Sequence, residues 1–289
     1  MTSENTKYFL GTLNNTLIGD HFEISIDDYN SYKNVITDFS ELIQDESLFK
    51  VVELNYEDFK SKIAYYSLNF TEFQQADFYA INPISFDINR LFLNLLSTIR
   101  TFLDHKSTML KRKFGDTSEE FALFEQERKA AFENNFEYRF ISKLRNYAQH
   151  CGLPIENPEM KSYLNENSEP QKEFNLYFEK AKLLSKFEWG AVVKKDLESQ
   201  PNRLDVLIII DKVYCLLNNL NEKLNNRILE NYKKEGTVLL DLISKTIGLV
   251  GMPCIMKREG TETLTFSINW FPISHIAKIT GTDINIVYN

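Results

Sequence analysis

Arg145, Asn146 and His150 stand within six positions of one another in RNYAQHCGLP, residues 145–154. A guanidinium grips phosphate or carboxylate oxygens through a fixed fork of donors. An imidazole titrates near neutrality and can move a proton, and an amide between them can orient either group. Such a set suits general acid and base work. Gly152 and Pro154 follow, in the order that stops a helix. The same ten residues therefore also suit a plain helix end, where a histidine gains from the negative end of the dipole.

Helical geometry separates these residues from the core. At about 100° per residue, with Leu144 centred on the buried stripe, Arg145 lies about 100° to one side, Asn146 about 160° away and His150 about 120° to the other side. Asn146 and His150, four apart, share a face. A competing pair occurs in RTFLDH, where Arg100 and His105 have the same spacing and also fall off the buried stripe. That pair has Thr101 where the other has an amide, and no terminator follows His105. The later motif is preferred, with Asp104 and His105 as a neighbouring site if the loop brings the two helices together.

Other chemistries find little support. His21 and His275 have no Cys, Asp or second His at ligand spacing, so no zinc site is expected. Ser267 and Ser274 lie near His275 without a nucleophile elbow or oxyanion glycine. There is no P-loop or dinucleotide fingerprint, and only 10 Gly are available for phosphate-cradling loops. Neither a metal nor a cofactor is called for.

The elements that must position the motif follow from apolar spacing. From NPISFDIN onward, with Ser85 or Asp87 as cap, apolar residues at 88, 91, 92, 95, 99, 102 and 103 predict a long helix ending near Gly115. A second helix is expected from DTSEE, capped by Asp116, Thr117 or Ser118, with a stripe through Phe121, Phe124, Phe132, Phe136, Phe140, Leu144 and Ala148. A short connection makes the two antiparallel. FNLYF reads as a short strand and EKAKLLSKFEWGAVVKKDLE as one or two short helices. A third long helix covers roughly 202–234, with Leu204, Leu207, Ile208, Val213, Leu216, Leu217, Leu220 and Leu224 for the core. PCIMKREGTETLTFSI reads as two strands around a turn at Glu259 to Thr261. In the N-terminal region HFEISI alternates as a strand, while Tyr32, Val35, Ile36, Phe39 and Leu42 have helical spacing. The expectation is a mainly α protein: an antiparallel long-helix bundle over 85–235, a mixed N-terminal region over 1–84 packed on it, and a C-terminal extension over 236–289 with a small β hairpin.

Composition bounds the partners. At 289 residues with 26% charged and 43% hydrophobic, the chain has the make-up of a folded protein. A net charge of -8 argues against a surface basic everywhere. The densest basic run, Lys106, Lys111, Arg112 and Lys113, reads as a solvated helix end. Three cysteines, Cys151, Cys215 and Cys254, match no metal or redox spacing and are read as reduced thiols. With no visible secretion signal and an apolar stretch, VLIIIDKVYCLL, too short to span a bilayer, a cytoplasmic protein without a membrane is expected.

Arg145-Asn146-x3-His150, late in a helix of an antiparallel pair, resembles the motif of the HEPN superfamily of helical ribonucleases and nucleotide-binding domains: an Arg, a polar residue, then a His. The resemblance covers roughly residues 85–235. It implies a metal-independent endoribonuclease in which the ribose 2′-hydroxyl attacks the adjacent phosphorus, leaving a 2′,3′-cyclic phosphate and a 5′-hydroxyl. His150 would move the proton, Arg145 would grip the non-bridging oxygens, and Asn146 would hold the imidazole or the substrate. Lys143 and Tyr147 would contact RNA. The resemblance further implies a homodimer whose two motif helices line one cleft, and a setting in toxin action or anti-phage defence with an antitoxin or defence-system partner. The other reading open at this point is a non-catalytic helical module for binding or dimerisation.

Overall fold

Apolar residues recurring every three or four positions dominate the sequence, and helices carry them. The computed structural model describes residues 6–14, 17–74, 81–164, 166–260 and 263–286. In chain order its elements are β1 (Lys7–Asn14), β2 (Leu17–Ile24), α1 (Ile26–Gln74), α2 (Ile81–Phe114), α3 (Glu119–Asn134), α4 (Phe136–Cys151), β3 (Glu159–Leu164), β4 (Pro170–Asn175), β5 (Tyr177–Glu179), α5 (Lys180–Lys186), α6 (Ala191–Ser199), β6 (Arg203–Asp205), α7 (Val206–Glu230), α8 (Lys233–Ser244), β7 (Met252–Glu259), β8 (Thr265–Trp270) and α9 (Ile273–Thr280). The protein is mainly α. Among the described residues no helix is long and apolar enough to cross a membrane.

The chain divides into two compact units, residues 47–224 and residues 1–46 with 225–289. The segments expected from sequence, with breaks after 84 and 235, have other bounds: both chain ends fall in one unit, and the divisions run through α1 and α7.

In the unit formed by the chain ends, the expected C-terminal hairpin of β7 and β8 is half of a four-stranded antiparallel sheet of order β2-β1-β7-β8. Two strands alone are marginal in water. Here β1 pairs with β7 from Lys7↔Arg258 to Leu13↔Met252. Ile36, Phe39 and Leu42 of α1 are buried, and a core of Leu10, Phe39, Leu239, Ile255 and Ile276 sits on one face of the sheet. Gly251, at φ +111°, starts β7 where a Cβ would lie 2.6 Å from the backbone of Leu13, so no other residue fits without moving the neighbouring strand.

In the unit of residues 47–224, the buried stripe of α2 is the expected one: Ile88, Phe92, Leu95, Ile99, Phe102 and Leu103 are all core. Ser85 and Asp87 are not caps, because α2 begins four residues earlier; Asp87 instead accepts from Tyr66 at 2.8 Å and from Arg90 at 2.6 Å. Ser118 is the residue that caps α3, accepting from the Phe121 amide at 3.2 Å.

The expected second helix is two. Asn135, at φ −130° and ψ 115°, breaks it into α3 and α4. The break leaves carbonyls at the end of α3 without helical partners, and Arg139 serves two of them. Its guanidinium donates to the carbonyls of Phe132 and Glu133, while its Nε donates to Asp196 of α6 at 2.7 Å. Phe132, expected in the stripe, is exposed. Past α4, which stops at Cys151 as Gly152 and Pro154 predict, Gly152 has φ 109° and ψ −168°, a positive φ away from the left-handed helical region. The chain is then pinned by Asn89 of α2, fully buried, whose amide both donates to and accepts from the Ile155 backbone at 3.1 Å.

The third long helix is shorter than expected. Residues 203–205 pair as β6 with β5, and α7 ends at Glu230. Ile208 points outward, while Val206, Ile209 and Ile210 take the core positions. FNLYF, expected as one strand, is split between the end of β4 and β5, which belong to different sheets, while the two short helices appear as expected, as α5 and α6.

Candidate functional site

Arg145 and Asn146 occupy a cleft of about 640 Å³ bounded by α2, α3 and α4. The antiparallel run of α2 and α4 brings Arg100 and Asp104 to the same cleft, and the break at Asn135 folds α3 back to add Arg128 and Lys129. Lys143 completes the set. Five cations thus face three carboxylates, Asp104, Glu125 and Glu133, in a chain whose net charge is -8.

The carboxylates neutralise only one side of the cleft. Arg100 Nε lies 2.7 Å from Asp104, Arg128 2.7 Å from Glu125, and Lys129 3.8 Å from Glu133, each pair within one helix turn. By contrast, no side-chain hydrogen bond or ion pair engages Lys143 or Arg145 among the described residues. The open cations are therefore those of the motif helix. At short range an unpaired guanidinium on a partly shielded wall attracts anions more strongly than the same group in bulk water.

Tyr138, nearly buried, sits at the wall of this cleft. Burial pushes its phenol above the ordinary tyrosine range, while a hydrogen bond with Arg128 and the charges of Arg128 and Arg100 act in the opposite direction. Ser142 lines the cleft as well, its hydroxyl donating to the Arg139 carbonyl at 2.7 Å.

His150 is exposed in the last turn of α4, one turn past Asn146 on the same face, and is not among the residues lining the cleft. His105 is exposed on α2 and also lies outside the lining, although Asp104 beside it belongs to it. The structure thus gathers Arg145, Asn146, Lys143 and Asp104, and leaves both imidazoles out.

Tyr147 does not belong to any RNA-binding surface. It is fully buried, its ring stacked on Trp189 at 5.7 Å and edge-on to Phe187 at 6.0 Å. The reason lies in its helical position: residues 140, 144 and 147 share one face, and a large aromatic there fills the core against the α5–α6 connection. Trp189 anchors that connection by donating to the Leu183 carbonyl at 2.9 Å. The Tyr147 hydroxyl, buried, has no hydrogen-bond partner among the described residues, and burial pushes its phenol up.

The basic run also differs from expectation, since Lys106 is fully buried rather than solvated. Lys111 stacks over Phe121 at 4.8 Å, which ties the end of α2 to the start of α3. The thiols are distributed as one exposed (Cys215), one half-buried (Cys151) and one buried (Cys254), with burial pushing Cys254 up to about 12.

No family model, curated protein or solved structure matches this chain. The site is therefore read from its own residues. Sequence reasoning passed over Arg128, Lys129, Tyr138 and Ser142; the first two reach the cleft because α3 is a separate helix from α4, and the other two share the α4 face of Arg145. The signal was present in Asn134-Asn135, two residues that favour caps and turns over helix interiors.

Proposed function

We propose that the chain is a metal-independent endoribonuclease acting at the cleft of α2, α3 and α4. The observation that carries this reading is the pair of motif-helix cations, Lys143 and Arg145, without internal partners beside Asn146 in a cation-rich cleft. A phosphodiester seated there would be gripped at its non-bridging oxygens by Arg145, with the charge that grows at phosphorus balanced by Lys143 and the paired arginines behind it. The 2′-hydroxyl attacks phosphorus, the bond to the 5′-oxygen breaks, one imidazole takes the hydroxyl proton, and a second gives a proton to the leaving oxygen. His150, one turn along the face from Asn146, is the nearest imidazole on the motif helix. The second is taken from another copy of the chain. Toxin action or anti-phage defence is the setting this activity suits.

The test is cleavage of a mixed-sequence RNA in EDTA by the wild type, His150→Ala and Arg145→Ala, with circular dichroism to confirm folding. Wild-type cleavage should leave 2′,3′-cyclic phosphate ends, spare DNA, and fall by about 10²-fold or more in either variant. Cleavage untouched by His150→Ala, or abolished by EDTA, removes the reading as sited.

One observation favours a second reading, a helical module that binds an anionic partner without cutting it: neither His150 nor His105 lines the cleft. Under that reading RNA binds, Arg145→Ala weakens binding, and no product forms.

A further inference from the structure

The cleft that holds Arg145 has a second chemistry. Beside its cations opens a recess of about 40 Å³ lined by Leu96, Ile99 and Leu103 of α2, Ile141 of α4 and Val213 of α7, all buried. Arg100, Leu103, Tyr138, Ser142 and Arg145 line cleft and recess alike, so the two are continuous. On α4 the steps of four and three from Tyr138 to Ser142 to Arg145 put these three on one face. A phosphodiester needs the cations only. What reaches an apolar recess from a phosphate held at Arg145 is the base of the same nucleotide.

Polar groups around the recess are already engaged. Tyr138 hydrogen-bonds with Arg128, the Ser142 hydroxyl donates to the Arg139 carbonyl at 2.7 Å, and Arg100 Nε donates to Asp104 at 2.7 Å. Arg145 is the remaining donor, and phosphate takes it. A ring nitrogen or carbonyl pushed into the recess would lose its water and find no donor. Every edge of a purine carries a ring nitrogen, such as the N7 acceptor of adenine and guanine. A pyrimidine has one edge, C5–C6, that carries only hydrogen in cytosine and uracil. The volume agrees, since about 40 Å³ takes that edge or one added methyl group and not a whole base.

We infer that the recess takes the C5–C6 edge of a pyrimidine base, so that the cleft selects single-stranded RNA with a pyrimidine at the phosphate gripped by Arg145. The strand is single because that edge is out of reach in the deep, narrow major groove of an RNA duplex. The inference rests on the reading of the cleft as an RNA site and adds to it the base that the site prefers.

Fluorescence anisotropy of the full chain tests it, with labelled 2′-O-methyl oligomers of about twelve nucleotides that lack the attacking hydroxyl. One is uridine throughout, one 5-methyluridine and one adenosine. The uridine oligomer should bind at least about threefold tighter than the adenosine one, because adenine strands an acceptor. The 5-methyluridine oligomer should bind about threefold tighter again, because its methyl fills the recess. Ser142→Leu, at an exposed helix position, places an apolar side chain across the mouth of the recess and should bring all three within about twofold of one another. Adenosine bound as tightly as uridine overturns the inference, as does a methyl group that weakens binding or a preference that survives in Ser142→Leu. Where the chain cuts mixed-sequence RNA, the new ends should lie beside pyrimidines. Cleavage or binding without regard to base overturns the recess and spares the ribonuclease reading. Oligomers bound with the expected preference while RNA stays uncut keep the recess and remove the nuclease. Neither binding nor cleavage removes both.

Discussion

The helices α2 and α4 each carry an arginine with a histidine five residues on, and the two arginines reach the same cleft in different electrostatic states. On α2, Asp104 stands one turn past Arg100 and holds its Nε at 2.7 Å. On α4 the corresponding residue is Gln149, and Arg145 is left without a partner among the described residues. Spacing alone did not separate the two segments, since both put Arg and His off the buried stripe. What separates them is the residue four positions after the arginine, because an i,i+4 carboxylate satisfies the guanidinium within its own helix. An anion entering the cleft must compete with Asp104 for Arg100, but meets Arg145 free.

The strongest test of this difference removes each arginine in turn. Arg145→Ala should lower RNA cleavage by about 10²-fold, or RNA affinity comparably if the protein only binds, because a charge-assisted grip on phosphate is lost. Arg100→Ala should cost less than about fivefold, since its charge is already largely balanced. Equal losses from the two would break the comparison.

A second test acts on the scaffold that makes the cleft. Arg139 joins the end of α3 to Asp196 of α6, and its side chain is only 12% exposed. Arg139→Ala strands a half-buried carboxylate and two helix-end carbonyls, and should lower unfolding stability by about 2–4 kcal/mol in denaturant titration. Since α3 supplies Arg128 and Lys129, whereas Arg145 sits on α4, stability should fall further than the residual activity of the folded fraction. A loss below about 0.5 kcal/mol would mean the break at Asn135 holds without it.

How much of this was legible in the sequence depends on what each feature needed. The stripe of α2 was readable from 88 to 103 because a helix against a core repeats at 3.6 residues whatever it packs on. The β7–β8 hairpin was readable, and so was the end of β2 in HFEISI, but β1 and its pairing with β7 were not, because pairing across some 240 residues leaves no mark on local periodicity. The region around Val51 to Leu68 resisted assignment for a specific reason: α1 is apolar on both sides, so its pattern lacks the polar face that identifies a helix. The motif residues Arg145 and Asn146 were placed correctly off the core. Tyr147 was not, although it lies three residues from Leu144 and so on the buried face by the same geometry. The cleft itself was missed, because its one sign, Asn134-Asn135, sits inside a strongly helical pattern.

Asp104→Asn sharpens the comparison from the other side. It removes the carboxylate that occupies Arg100 and makes the α2 arginine resemble the α4 one. RNA affinity should rise by about three- to tenfold at low salt, and the dependence of log K on log salt should steepen by close to one unit as another cation joins the phosphate contacts. Lys143→Ala should do the opposite, flattening the slope by about one unit while shifting all RNA sequences alike. If Asp104→Asn leaves the slope unchanged, Arg100 does not face the ligand and the cleft is gripped from α4 alone.

The smallest expected effect separates the two faces of α4 itself. Tyr147→Phe deletes a hydroxyl that is buried and has no partner among the described residues, while keeping the ring on Trp189. Desolvating that hydroxyl costs the folded state more than the contacts it makes return, so its loss should raise stability by up to about 1 kcal/mol, a shift in Tm of about 2–4 °C. RNA affinity should not change, because the ring lies on the core side of the helix and the cleft on the other. A drop in affinity of more than about twofold, with the fold intact by circular dichroism, would mean that ligand reaches through the α5–α6 connection to the buried face. The open cations of α4 would then be only part of the site, and the contrast between Arg145 and Arg100 would no longer account for where the ligand binds.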